Sequence, residues 1–124
     1  MAKILVVDDD PDFLRITRTI LESRDYQVTT ATNGERALAA MRRERPDLVL
    51  LDIMMSYILD GLDVGREMAE DPELKDIPVI MITSLTGARA QADQLSDEYV
   101  PVEDWIHKPI DPDILLKRIE AALG

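Results

Sequence analysis

Two short apolar runs in this chain stop on carboxylates: Ile4-Leu5-Val6-Val7 runs into Asp8-Asp9-Asp10, and Leu48-Val49-Leu50-Leu51 runs into Asp52. Runs of this length, rich in Val, Ile and Leu and closed by a turn signal, read as strands buried on both faces, the kind found in parallel sheets covered by helices. If the two are parallel neighbours, Asp8, Asp9 and Asp52 converge at one edge of the sheet, and in open α/β folds that edge is where ligands bind. Carboxylates gathered there repel one another unless a cation sits among them. The arrangement therefore calls for a divalent ion, a lysine or both.

The rest of the chain alternates strand and helix signals. After a strand over 3–7, Asp10 reads as belonging to the start of the first helix: Pro11 sits where a first helical turn tolerates it, and Phe13, Ile16, Thr17 and Ile20 follow at helical spacing, predicting a helix to about Arg24. A second strand is expected over Gln27 to Ala31. Thr32-Asn33-Gly34-Glu35 then has the spacing of a capping box that opens a helix through Ala37, Leu38 and Met41, stopped by Pro46. Further strands are predicted over 47–51, 78–82 and at Trp105-Ile106, with helices over 61–69, 86–95 and 111–123, the last carrying Ile114, Leu115, Ile119 and Leu123. Five strands alternating with five helices imply right-handed crossovers and an α/β domain with a parallel sheet between helix layers. At 124 residues the chain fits one domain over 1–124, with no output domain expected.

Charge narrows the function classes. There are 25 acids against 14 bases, a net charge of -11 that opposes binding to nucleic acid or to an anionic membrane surface. Cysteine is absent, which excludes disulfides and thiolate metal sites. Neither a signal-peptide core nor a membrane-length apolar stretch is present, and a cytoplasmic location is the expectation.

The other strand ends complete a chemical set. The fourth strand delivers Thr83 and Ser84, and the fifth runs into His107-Lys108-Pro109. Mg²⁺ prefers hard oxygen ligands, so Asp9 and Asp52, with Asp8 acting through water, form a credible site. Lys108 and the Thr83 hydroxyl suit the oxygens of a phosphoryl group. Asp52, following the central strand, is the candidate to attack phosphorus and hold it as an acyl phosphate. His107 is the sole histidine and reads as a surface residue, while Met54, Met55 and Met81 read as core filler.

These motifs, VVDDD at 6–10, LLDIMM at 50–55, DG at 60–61, ITS at 82–84 and HKP at 107–109, make the whole chain resemble the receiver domains of two-component response regulators. The resemblance implies a doubly wound, flavodoxin-like sheet of order 2-1-3-4-5 and Mg²⁺-dependent phosphotransfer to Asp52 from a sensor histidine kinase or phosphotransfer protein. Self-catalysed dephosphorylation would follow, without enzymatic turnover of other substrates. By match, Asp8 and Asp9 are the acidic pair, Met54 offers its backbone carbonyl to the metal, and Lys108 contacts the phosphoryl group. Thr83 and the aromatic Trp105 are then the switch residues. Signalling, and self-association where it occurs, would use the face made of the fourth helix, fifth strand and fifth helix toward a downstream protein that the sequence does not name.

The match has departures. Gly61 lies nine residues after Asp52, one more than is usual in that family, and Ser56-Tyr57 replaces a common proline. The stretch from Thr83 to Lys108 is also longer, through 96–102, so Tyr99 and Val102 are candidate partner contacts. Trp105 stands where Tyr or Phe is usual. Met54 and Leu85 leave no polar side chain to place an attacking water, which predicts a slowly hydrolysed acyl phosphate. Three other readings compete. An aspartyl-phosphate phosphatase would want a second acid where Met54 stands. An FMN module would find Asp8-Asp9-Asp10 repelling its phosphate. A degenerate receiver would serve only as a protein-interaction module.

Overall fold

A computed structural model of the chain describes residues 2–52, 60–83, 104–107 and 110–123. Five strands, β1 (Lys3–Val7), β2 (Gln27–Ala31), β3 (Leu48–Asp52), β4 (Val79–Thr83) and β5 (Asp104–His107), form one parallel sheet of order β2-β1-β3-β4-β5. The helices among the described residues are α1 (Pro11–Glu22), α2 (Gly34–Glu44), α3 (Asp60–Glu70) and α4 (Pro112–Leu123). The doubly wound expectation is borne out in its strand order. The helix expected over 86–95 lies outside the described residues, as do Met54, Met55, Ser84, Leu85, Tyr99, Val102, Lys108 and Pro109.

Period-two alternation along the strands divides the core into two layers. Leu5, Val7, Val49, Leu51 and Met81 point to the face covered by Leu38 and Met41 of α2 and Val64 and Met68 of α3. Ile4, Val6, Leu48, Leu50, Ile80 and Ile82 point the other way, onto Leu14 and Leu21 of α1 and Leu115, Leu116 and Ile119 of α4. Every residue of β3 is buried, as a central strand covered on both faces requires. Met81 is wholly buried, in keeping with its reading as core filler.

The helix starts follow their caps. Asp10 is the N-cap of α1, with Pro11 at the first helical position. For α2 the cap is Asn33, whose Oδ1 accepts the Arg36 N–H at 2.8 Å, so the frame sits one residue later than the expected box from Thr32. This helix closes on Arg45, which takes a left-handed conformation (φ 48°) just before Pro46. The buried stripe of α1 is Leu14, Thr17 and Leu21, with Phe13 and Ile20 at its margin. Ile16, expected on the core face, is 61 % exposed. It stands about 200° round the helix from Leu14 at about 100° per residue, and so faces away. Ile114 of α4 is likewise half exposed, and Leu116 takes its expected place in the core.

Candidate functional site

The register of the sheet explains how the acids meet. β1 and β3 pair in parallel with Val7 opposite Leu51, so Asp8 and Asp52 are the next residues along each strand. Both continue the alternation that faces α1 and α4: Ile4, Val6 and Asp8 on one strand, Leu48, Leu50 and Asp52 on the other. The Asp8 N–H donates to the Ala31 carbonyl at 3.1 Å, carrying the β1–β2 ladder one residue beyond the strand. Asp52 belongs to β3 as its last residue, one position later than the end expected at Leu51.

The result is a cluster in which one carboxylate oxygen from each of Asp8, Asp9 and Asp52 lies within 4.8 Å of the others. Asp8 and Asp52 are buried, and Asp9 is exposed. Two ionised carboxylates at that separation repel by roughly 3 to 4 kcal/mol at an effective dielectric of about 20. A cation among them reverses the sign. Ligands on opposite sides of Mg²⁺ are about 4.2 Å apart at about 2.1 Å from the ion, and the ion commonly retains several waters. Three oxygens within 4.8 Å therefore fit one such ion, held by direct and water-mediated contacts. All three donors are hard carboxylates, the chemistry Mg²⁺ selects.

Thr83 ends β4, one residue past Ile82, which pairs with Asp52 across the β3–β4 ladder. The hydroxyl-bearing residue thus stands at the carboxyl edge beside the acids. On the next strand Thr83 pairs with His107 and Met81 with Trp105, which sets Trp105 two residues back from the edge. The fold brings Asp8, Asp9, Asp52 and Thr83 to one end of the sheet. Lys108 and Met54, each just beyond a described strand or near one, lie outside the described residues.

Sequence reasoning assigned Asp10 to the start of the first helix, and the structure agrees, with its Oδ1 accepting the N–H of Asp12 at 3.0 Å and of Phe13 at 3.4 Å. It did not foresee that the Asp10 N–H donates to Asp8 Oδ1 at 2.9 Å. The signal was present: an acid two residues before a capping Asp-Pro pair is positioned for an Asx-type turn.

Comparison with known proteins points one way. A family model described as the response regulator receiver domain matches residues 4–120. The protein PilH of Pseudomonas aeruginosa is 37% identical over 124 residues, covering 100% of this chain and 99% of PilH. The response regulator PleD of Caulobacter vibrioides is 38% identical over 120 residues, or 97% of this chain, which spans only 26% of PleD. Among solved structures, the chemotaxis protein CheY4 of Vibrio cholerae matches with a TM-score of 0.89 at 28% identity over 98% of both chains.

Proposed function

Because this chain belongs to the response regulator receiver domain family, we propose that it is a phosphoacceptor switch of a two-component pathway, charged on Asp52 by a sensor histidine kinase or a phosphotransfer protein. The observation that carries this reading is the convergence of Asp8, Asp9 and Asp52 at the carboxyl edge of the sheet. An oxygen of Asp52 bonds phosphorus as the donor's phosphorus–nitrogen bond breaks, leaving an acyl phosphate on the domain and the histidine free. Asp8, Asp9 and Asp52, with the Met54 carbonyl, would hold Mg²⁺. When bound, the ion offsets the charge of the carboxylates and of the incoming phosphoryl oxygens.

The remaining roles belong to side chains at the same edge. Lys108 supplies a cation to the phosphoryl group, and the Thr83 hydroxyl moves toward it as a donor. Phosphorylation adds about -1.5 to -2 charges at one spot, which biases a two-state surface built from the segment 86–95, β5 and α4, with Trp105 as the side chain that reports the state. That surface meets the downstream protein and any second copy. The work of the domain is to hold a phosphoryl group and release it slowly, rather than to turn over a separate substrate.

Incubation with Mg²⁺ and a small acyl phosphate, followed by intact-mass measurement, tests the proposal. Wild type should gain one phosphoryl group and Asp52→Asn none. No gain in wild type, or the same gain in both, would overturn it.

A further inference from the structure

We propose that Asp10 is a positioning residue for the metal site: by capping α1 with its side chain it holds its own backbone N–H against the buried carboxylate of Asp8. The proposal rests on the reading of Asp8 as a Mg²⁺ ligand. A carboxylate with no exposure to solvent, as Asp8 is, needs fixed donors to satisfy its oxygens and keep them aimed. The Asp10 N–H supplies one at 2.9 Å. Its direction depends on the backbone at Asp10, which is extended (φ -93°, ψ 108°) and leaves the helix there.

Three bonds hold that backbone. Asp10 Oδ1 takes the N–H groups of Asp12 and Phe13, and the Asp10 carbonyl takes the Leu14 N–H at 3.1 Å. Pro11 between them fixes its own φ and has no N–H to compete for the cap. On its other side Asp8 is tied to β2 by its N–H bond to Ala31. The acid is thereby gripped between the edge of the sheet and the first turn of α1. Donors of this kind, one shell out from the ion, orient metal ligands, and losing one commonly costs about tenfold or more in affinity.

The chain contains its own control. α4 begins with the same Asp-Pro-Asp triplet, Asp111-Pro112-Asp113, and Asp111 Oδ1 accepts the N–H of Asp113 at 2.9 Å and of Ile114 at 3.4 Å. Two residues before Asp111 stands Pro109, so no acid receives the Asp111 N–H at that spacing. The two caps are alike, and only the first feeds an acid of the cluster.

The experiment titrates Mg²⁺ alone, by calorimetry, into wild type, Asp10→Ala, Asp10→Ser and Asp111→Ala, and measures amide hydrogen exchange at residue 10 in the metal-free proteins. Ser restores the cap without the charge. The Mg²⁺ Kd should rise about tenfold in Asp10→Ala, stay within about twofold of wild type in Asp111→Ala, and recover most of the loss in Asp10→Ser, which lacks the same charge as Asp10→Ala but keeps the cap. Exchange at residue 10 should be slow in all but Asp10→Ala. Equal Kd values for wild type and Asp10→Ala, equal losses in Asp10→Ala and Asp111→Ala, or no recovery in Asp10→Ser would overturn this proposal alone. A wild type that ignores Mg²⁺ would overturn the reading of the site and this proposal with it.

Discussion

Asp71 owes its low pKa first to local backbone and only then to a charge partner. Its Oδ1 accepts the Glu73 N–H at 2.9 Å, its partial burial works the other way, and the Arg42 guanidinium beside Oδ2 at 3.2 Å adds to the lowering. A carboxylate held below its ordinary value of about 3.9 stabilises the fold above that pH, and the contribution is lost as the pH falls through the lower folded-state value. The stability difference between wild type and Asp71→Asn should therefore be steady near neutrality and shrink below about pH 4, as urea melts across that range would record. At this scale sequence reasoning is sharp about residue type and loose about position. Thr32 and Asn33 are both competent caps, and adjacent candidates differ by less than tertiary packing can override. Asn33 wins, and Glu35 consequently falls in the first turn as a favourable charge near the helix start, one place short of closing a box.

Among elements, strands were legible where helices were ambiguous. A strand buried on both faces needs no phase: a run of apolar residues suffices, and β1 was predicted with its observed ends. An amphipathic helix must also be rotated correctly, and α1 offers apolar residues at 13, 14, 16, 20 and 21, wide enough for two stripes. Packing against β1 and β2 selects Leu14, Thr17 and Leu21. Leu21→Ala should therefore cost about 2 to 5 kcal/mol, whereas Ile16→Ala should stay within about 0.5 kcal/mol. Equilibrium urea unfolding of the two variants checks the rotation of the helix. The far end of α2 is tied down differently, by Arg42–Asp71 and Arg45–Glu73 pairs reaching the turn after α3. Both are exposed enough that they secure orientation more than stability.

For the whole molecule, a net charge of -11 and an acidic cluster at one edge make cations the natural stabilisers. Mg²⁺ at a hundred times its Kd should raise stability by about 2.7 kcal/mol through binding to the folded state alone. Thermal melts with Mg²⁺ should shift up accordingly, and an equal concentration of a monovalent salt should not reproduce the shift. The acid cluster was legible in the sequence because its members end apolar strands, which places them once the strands are neighbours. The bond from the Asp10 N–H to Asp8 was not, because the spacing of the two acids permits an Asx-type turn without requiring one.

The neighbouring of β1 and β3 also has a kinetic side. The connection between them contains α1, β2 and α2, so Asp8 and Asp52 meet only when a long loop closes, and loop closure costs entropy before it returns contacts. In metal-free solvent the same closure presses two anions together inside an otherwise mutually supportive core. Local frustration of this kind is eased by the Asp10 N–H donated to Asp8 and would be eased further by a cation. The domain thus keeps its most reluctant contacts at the spot where an incoming charge can relieve or redirect them.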